Sequence, residues 1–468
     1  MTTNLTSPGG ILEFQPTISF RDSTVYYWRV AEVAAGGIQN WSGSSFIYMQ
    51  GTDSGFNQSH YYQHLKSTYS RMRLDSGTRT FQYEPVQHEL YIRNGVWGTA
   101  TGQEGDLVVN VDGLSFIRNT CYYGLIFNVF DSKSFRPWVN TTAGLYGSKP
   151  WCGSARRQYN FEFDNDSVGR RKALAFLRQI PNDNIIVVRN QPYNTQAGNE
   201  YAADWLADAN RYGAANTLYF ELKQAGFTLI DSINRPRVFA FVYKKNNGRF
   251  IPQQGLSLDK FDVLTLSAYP FAADSTGTKT SPQFGPAAAW KRLQWSGNSL
   301  EASGADTVQI DLIGIKIDGT VDTLLRNNGL GIQDVDISHI SAATYPYLKM
   351  QMRSSDRVNF TPWQLRSWRL FYTPKAEGAV APNMLFQMKD TFDVGEPITL
   401  KMAFKNISDV AFDSILVKAV VTDQSNVARP ISLGRYKPLR AGDTITVNVP
   451  IDSRRLVGAN TLYVDVNP

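Results

Sequence analysis

Cysteine and histidine are scarce in this 468-residue sequence, which has two cysteines and four histidines. There is no Cys-x-x-Cys pair and no Cys/His cluster, and His60 and His64 together supply only two ligands at metal-site spacing. No segments combine a nucleophile with a base in a Ser–His or Cys–His arrangement. We therefore expect structural roles for the histidines, no metal or other cofactor, and a chain that is not an enzyme.

Charge of one sign and long apolar runs are also missing. Lys and Arg total 47 against 41 Asp and Glu, a net charge of +6, and the densest basic spots are short, at 155–157 and 169–172. A nucleic-acid site would interleave basic and aromatic side chains, so we expect no nucleic-acid partner. No run approaches 18 apolar residues, which predicts no transmembrane helix, and the N-terminus lacks the regions of a signal peptide.

The sequence is rich in apolar and aromatic residues, at 42% and 13%, and only 19% of it is charged. Such a composition allows large cores and argues against disorder. At 468 residues the chain has room for about three domains. Most of it consists of short alternating segments between turn signals, which predicts a mainly β, multidomain protein.

The first 50 residues contain "TVYYWRV" and "WSGSSFIYM", whose alternation places Tyr26, Trp28 and Val30 on one strand face. This pattern resembles the last strands of a fibronectin type III module. Because only about half of such a module is present, we expect an unfinished core and a piece of a longer chain. Residues 51–104 follow as a polar connector with further strands.

Two sandwiches are predicted in the second half of the chain. Residues 256–375 alternate around the Asp318-Gly319 turn and suggest a jelly-roll or galactose-binding-like β-sandwich. A small-residue linker, 376–381, precedes residues 382–468. That last segment divides into seven short strands, the pattern of an immunoglobulin-like, adhesion-type sandwich.

Residues 161–190 interrupt the β pattern with a strand–helix–strand unit. Ala173, Leu174, Leu177 and Ile180 form one apolar stripe, which predicts a helix that covers a sheet face. Asp166 or Ser167 can serve as its N-cap. The acids Asp164/Asp166, like the pair Asp334/Asp336, could also serve hydrolysis, but their cap and turn contexts favour structural roles.

The order of elements over residues 105–250 resembles the interleukin-like EMT inducer domain. The matching residues are Gly124 before a strand, Phe163-Asp164 before the helix, Phe176-Leu177…Ile180-Pro181 at its end, and the strand 185–188. The resemblance implies an α+β domain. This sequence departs from the family in the insert 137–160 and in lacking terminal cysteines, so no family disulfide pattern is carried over.

The order of all the modules is similar to the region that follows the peptidase domain in PorU-like, gingipain-type proteins of type IX secretion in Bacteroidota. The peptidase itself is absent from the sequence. The resemblance implies a non-catalytic interaction or scaffold segment of a secreted protein. It also implies protein partners at the extracellular or outer-membrane surface of a Gram-negative bacterium.

Glycan binding is the alternative function. Inducer-like and galactose-binding-like domains both include sugar binders, and Trp97, Trp138 and Trp151 fall in Gly/Pro-rich loops. An exposed indole there could stack on a pyranose ring, whereas a buried one would only pack on the nearest sheet.

Two arrangements remain to be decided by the structure. Cys121 and Cys152 are either two buried thiols or one disulfide, which would close a loop of about 30 residues and contribute about 3 kcal/mol. Residues 78–97 supply only two strands, too few to bury a face alone. We therefore expect residues 105–250 to be inserted into a β-sandwich shared by the segments on either side, with serial modules as the alternative.

Overall fold

The computed structural model describes residues 4, 11–32, 39–51, 54–95, 107–153, 156–192, 202–301, 304–330 and 333–467. Strand residues make up 43% of the structure and helical residues 11%. The predicted mainly β, multidomain class is therefore confirmed. No helix among the described residues is long and apolar enough to cross a membrane.

The elements follow one another in chain order. The N-terminal part contains β1 (Thr24–Val30), β2 (Ser42–Tyr48), β3 (Gly55–Gln58), α1 (Tyr61–His64), β4 (Thr68–Ser70), β5 (Met72–Leu74), β6 (Phe81–Tyr83), β7 (Pro85–Gln87) and β8 (Leu90–Asn94). The middle contains β9 (Val108–Val111), β10 (Leu114–Arg118), β11 (Gly124–Phe130), β12 (Phe161–Phe163), α2 (Ser167–Gln179), β13 (Ile185–Gln191), α3 (Ala202–Tyr212), α4 (Leu218–Gln224), β14 (Phe239–Lys244), β15 (Gln253–Leu256) and β16 (Leu264–Ala268).

The remaining strands are β17 (Phe271–Ala273), β18 (Thr276–Thr280), β19 (Ala287–Asn298), β20 (Thr307–Ile315), β21 (Val321–Asn328), β22 (Asp334–Asp336), β23 (Tyr347–Ser355) and β24 (Gln364–Pro374). The C-terminal strands are β25 (Gly378–Val380), β26 (Phe386–Gln387), β27 (Pro397–Asn406), β28 (Val417–Thr422), β29 (Ala428–Ile431), β30 (Thr444–Asp452) and β31 (Thr461–Val466). Short 3-10 helices lie at Ala214–Asn216, Thr228–Ser232 and Ser453–Arg455.

One β-sandwich is built from two distant parts of the chain. Its sheets have the strand orders β21-β20-β23-β18-β4 and β22-β19-β24-β3. Strands β3 and β4 therefore join sheets whose other members lie beyond residue 275. The apolar faces of the two sheets meet in a core that includes Trp290, Trp295, Ile310, Met350 and Trp368.

Between these two parts the chain forms an inserted unit. β7 pairs with β17 and β8 pairs with β16, as insertion requires. The unit extends further than the expected 105–250, because β8 and β16 form a sheet with β9 and β10 in the order β10-β9-β8-β16. That sheet packs through residues such as Leu90 and Ile92 on the unit's central sheet, so the inserted unit runs from about β8 to β16.

The central sheet of the inserted unit, β12-β11-β13-β14-β15, is covered on both faces. Successive residues of β13 show this: Ile185 and Val187 pack toward the second sheet, whereas Ile186 and Val188 pack toward the helices. Every residue of β11 and β13 is consequently buried. Strands with both faces covered form continuous apolar runs rather than an alternating pattern.

Helix α2 has the predicted cap and stripe. The Asp166 side chain accepts a hydrogen bond from the Gly169 N–H at 2.7 Å, and Ala173, Leu174 and Leu177 are buried. At the other end, Lys245 Nζ lies 2.5 Å from the carbonyl oxygens of both Leu177 and Ile180. A cation there satisfies carbonyls that have no partner within the helix and interacts favourably with its dipole.

The chain ends in a two-sheet sandwich with its own core. β27 pairs with β25, β26 and β30, and a second sheet has the order β29-β28-β31. The sandwich has seven strands, but the first of them, β25, lies inside the segment 376–381 that we expected to be a linker, so residues 382–468 contain six strands and not the expected seven. Gly378, Ala379 and Val380 all pair with residues of β27. The segment therefore forms a strand through backbone pairing, although its small residues suggested a linker.

Candidate functional site

The three loop tryptophans predicted as ligand-binding residues lie in different environments or outside the described residues. Trp97 lies outside the described residues. Trp138 follows β11, where its N–H donates to the Val129 carbonyl at 2.8 Å. Its ring centroid is 5.7 Å from that of Tyr146 and 6.5 Å from that of Phe161, at the edge of the helix-side core. Trp138 therefore contributes to packing.

Trp151 lies beside a disulfide. It is half-buried, and its N–H donates to the Thr141 carbonyl at 2.9 Å. The next residue, Cys152, is bonded to Cys121, with the two Cα atoms 5.8 Å apart. The bond ties the loop between β11 and β12 to the turn that precedes β11.

Behind the disulfide lies a buried pair of opposite charges. The Glu162 carboxylate accepts hydrogen bonds from the N–H groups of Cys121 and Tyr122, at 3.0 and 2.8 Å. Glu162 on β12 and Arg189 on β13 both pair with Ile126 of β11, so the two charged residues flank this strand. Arg189 is fully buried. Burial raises the pKa of Glu162 and lowers that of Arg189 to about 9, while each charge favours the other. This interior pair orders the turn of Cys121 and is closed to ligands.

The N-terminal hairpin presents aromatic side chains on an uncovered sheet face. β1 and β2 form a two-stranded sheet without further strands among the described residues. We name the set Phe20, Tyr26, Trp28, Phe46 and Tyr48 the aromatic face. Four of its rings contact one another, with Phe20 at 4.8 to 5.5 Å from Tyr26, Phe46 and Tyr48, while Trp28 is 50% exposed.

The opposite face of the hairpin rests on helix α1 through a second group of rings. Tyr27, His60 and Tyr62, here the tyrosine cluster, have ring centroids 5.1 to 6.4 Å apart. The rings of Tyr27 and Tyr62 are nearly perpendicular, at 89°, and these side chains are 61% and 55% exposed. The two tyrosines thus form an open aromatic corner.

His60 supplies the polar side of that corner. Its Nε2 lies 3.0 Å from the Ser45 hydroxyl and its Nδ1 lies 3.4 Å from the Tyr27 hydroxyl. Burial lowers the pKa of His60, so the ring is neutral at pH 7 and can both donate and accept. Lys66 Nζ donates to the Ser44 hydroxyl at 2.9 Å, but Ser44 pairs with Trp28 and therefore belongs to the opposite, aromatic face of the hairpin. The corner therefore combines flat apolar surface with hydrogen-bonding groups.

Sequence reasoning did not select these hairpin aromatics as functional. It placed Tyr26, Trp28 and Val30 on one face of a strand without giving that face a role, and it considered "SHYYQH" only for metal ligands. The available signal was the density of rings in "TVYYWRV" and "SHYYQH". Nothing local in either stretch shows that β1 and α1 lie against each other.

No family model matches the chain, and no curated protein matches it. Among solved structures, β-glucuronidase 2 of Bacteroides uniformis aligns at 10% identity and a TM-score of 0.14, over 41% of this chain and 24% of that one. The β-glucuronidase of Parabacteroides merdae aligns at 14% identity and a TM-score of 0.15, over 42% and 26%. The chain thus spans about a quarter of those proteins, and TM-scores this low do not establish a shared fold.

Proposed function

We propose that this chain is a non-catalytic binding segment that docks a protein partner on the aromatic face of its N-terminal hairpin. The observation that carries the proposal is a two-stranded sheet whose aromatic side chains have no covering layer among the described residues. Sheets of two strands are marginally stable by themselves. A contiguous exposed apolar patch commonly marks an interaction site.

The chemistry of the face defines the partner. Phe20, Tyr26, Trp28, Phe46 and Tyr48 offer large rigid rings, which are the side chains enriched at the centres of protein interfaces. A pleated sheet face packs best on another sheet at a spacing of about 10 Å. We therefore expect a partner protein that presents an apolar β-sheet face, so that the two layers complete a sandwich.

From the resemblance to PorU-like proteins we infer that this binding takes place at the extracellular or outer-membrane surface of a Gram-negative bacterium. The order of modules supports this part of the proposal. The Cys121–Cys152 disulfide also supports it, because disulfides persist in oxidising compartments and are rare in the cytosol.

Site-specific photo-crosslinking tests the docking face. A photoreactive amino acid is placed at Trp28 or Phe46 and, as a control, at Val321, an exposed residue of β21. The chain is then added to the outside of Bacteroidota cells. We expect a protein adduct from positions 28 and 46 that unlabelled wild-type chain competes away and the Phe46→Ser chain does not. Equal adducts at all three positions, or equal competition by both chains, would contradict the proposal.

The non-catalytic part of the proposal has a separate test. The purified chain is incubated with unstructured peptides and with aryl glycosides, and product is followed over time. We expect no turnover above buffer. Reproducible turnover that a single substitution abolishes would overturn this part and leave the docking face to be judged on the crosslinking result.

Glycan binding is the second candidate, and the open corner of Tyr27 and Tyr62 favours it. Flat aromatic faces with nearby hydrogen-bond donors and acceptors suit a sugar ring, which has an apolar C–H face and a polar rim. Here the polar groups are His60 and Ser45.

A glycan array probed with the wild-type chain tests this second candidate. Binding should be lost in Tyr62→Ala and kept in Tyr463→Ala, a matched control because Tyr463 is an equally exposed tyrosine on β31. Trp151→Ala should be included for the predicted loop site. Absence of binding by the wild-type chain, or loss in the Tyr463 control, would remove the tyrosine cluster as a sugar site.

A further inference from the structure

A lysine occupies a core position of the β-sandwich. Lys279 on β18 pairs with Met352, a buried residue of β23, and is itself fully buried. Its side chain therefore extends between the two sheets, where its Nζ lies 3.6 Å from the centroid of the Trp368 ring. Among the described residues, Lys279 forms no ion pair with a carboxylate, although a buried charge is costly without one.

The amine of Lys279 faces the carboxamide of Gln58. Gln58 is the last residue of β3, in the opposite sheet, and Lys279 Nζ lies 3.0 Å from its Oε1. The carboxamide carbon is bonded to that oxygen, at about 1.2 Å. A small rotation of the carboxamide therefore brings the carbon to the separation of about 3–3.5 Å from the amine at which two atoms react.

Other buried groups hold the carboxamide of Gln58. The Trp368 indole N–H donates to Oε1 at 2.7 Å, and Nε2 donates to the Gln63 carbonyl oxygen at 2.7 Å. The Ser67 hydroxyl lies 3.2 Å from Oε1 and 3.1 Å from Nε2. Donors fixed at a carbonyl oxygen in a buried site stabilise the negative charge that develops there when a nucleophile adds to the carbon.

The protonation states suit such an addition. Burial lowers the pKa of Lys279 well below its ordinary value, which favours a neutral amine with a free lone pair. Burial and the neighbouring amine of Lys279 lower the pKa of His64 to about 3, and its Nδ1 is buried without a hydrogen-bond partner. A neutral imidazole can accept a proton from one nitrogen and return it to another.

We propose that Lys279 and Gln58 form an intramolecular isopeptide bond. The lone pair of Nζ adds to the carboxamide carbon, while the Trp368 N–H binds the oxygen that becomes negative. The carbonyl then re-forms as the bond from this carbon to Nε2 breaks. One proton passes from Nζ to Nε2 through Nδ1 of His64, so that the products are an amide between the two side chains and one molecule of ammonia.

The bond would join the two sheets across the insertion. β3 precedes the inserted unit and β18 follows it, and Gln58 and Lys279 are 221 residues apart. A cross-link that closes a long loop removes more freedom from the unfolded chain than one that closes a short loop. The sandwich would therefore stay joined even where the inserted unit unfolds or is cut. Burial also excludes water, which would compete with the amine for the carbon.

Intact mass spectrometry of the purified, reduced chain tests the bond. We expect the wild-type mass to lie below the mass of its sequence by one molecule of ammonia, and peptide mapping to identify one branched peptide that joins Gln58 to Lys279. Lys279→Met should have its full sequence mass. Lys245→Met should keep the loss of ammonia, and it is a matched control because the Lys245 amine is also buried but faces backbone carbonyl oxygens.

Trp368→Phe tests the role of the indole N–H. Phenylalanine keeps an aromatic ring beside the amine but has no donor for Oε1, so the rate of ammonia loss after cell-free synthesis should fall roughly a hundredfold. Near-ultraviolet circular dichroism checks that this variant folds. An unchanged rate in the folded variant would overturn the role given to the indole.

Three results would overturn the isopeptide bond itself. They are a wild-type chain with its full sequence mass, an equal loss of ammonia in Lys279→Met, and a loss that maps to residues other than Gln58 and Lys279. Because the wild-type mass and peptide map require no substitution, they decide the proposal even where a variant does not fold.

Discussion

The inserted unit and the N-terminal hairpin use similar residues in opposite ways. In the unit, Phe127 and Phe161 belong to a sheet with helices on one face and a second sheet on the other. In the hairpin, Tyr26 and Phe46 belong to a two-stranded sheet that pairs with no other strand of the described residues, and it is the opposite face of this sheet that meets helix α1. An aromatic strand residue is therefore core or surface according to what covers its sheet. The comparison assigns stability to the unit, and it is the basis for our proposal that the hairpin serves recognition.

The largest expected effect comes from removing a ring between helix α2 and the covered sheet. Phe176 is fully buried and stacks on Phe161 at 4.8 Å. Phe176→Ala should lower the free energy of unfolding by about 3–5 kcal/mol, because transfer and cavity terms add. Chemical denaturation measures it, with the exposed Phe220 on α4 as the matched site. An equal loss in Phe220→Ala would contradict the assigned packing.

Removal of the disulfide should have the next largest effect on the free energy of unfolding. The bond lies within the inserted unit, and it is the one disulfide of the chain because the sequence has two cysteines. The bond spans 31 residues, and loop entropy of that size corresponds to about 3 kcal/mol. We expect the Cys121→Ser/Cys152→Ser double variant to lose about this much on denaturation. Non-reducing mass spectrometry should detect no alkylatable thiol in the native wild-type chain. Two alkylated cysteines would show that the bond does not form.

The pH dependence of stability should distinguish His64, in helix α1, from His60, which precedes the helix. Burial lowers the pKa of His64 to about 3, whereas His60, at the hairpin, has a smaller lowering with the same cause. Because the unfolded His64 takes up a proton below about pH 6.5 and the folded one does not until about pH 3, stability falls as the pH drops through this window. The slope per proton is at most about 1.4 kcal/mol per pH unit.

Denaturation between pH 7 and 4 measures that slope. His64→Gln should flatten the curve relative to wild type, and His60→Gln should flatten it less. A slope that His64→Gln leaves unchanged would mean that His64 is not the group responsible.

The smallest effect on stability is expected on the aromatic face. Trp28 is half exposed, so Trp28→Ala should change the free energy of unfolding by no more than about 0.5 kcal/mol. The same denaturation experiment measures it. A loss comparable to that of Phe176→Ala would contradict the contrast between the hairpin and the inserted unit, because it would mean that a covering layer already packs on the hairpin.

Local sequence alone determined the elements whose interactions are short in range. The cap of α2 joins residues three apart, Asp166 and Gly169, and its apolar stripe repeats every three or four residues, so the helix could be predicted with its N-terminus. The alternation of β1, and of strands such as β27 and β30, is equally local. For the same reason the mainly β class followed from the short alternating segments.

Only the tertiary structure decided which distant segments meet. The partner of β8 is β16, more than 150 residues later in the chain. Because of this pairing, the inserted unit extends beyond the expected residues 105–250. Tyr27 meets Tyr62 because the hairpin lies on α1. Strand pairing carries no signature of its partner within a few residues. The residue types of each site can therefore be read from the sequence, but which of these residues come together cannot.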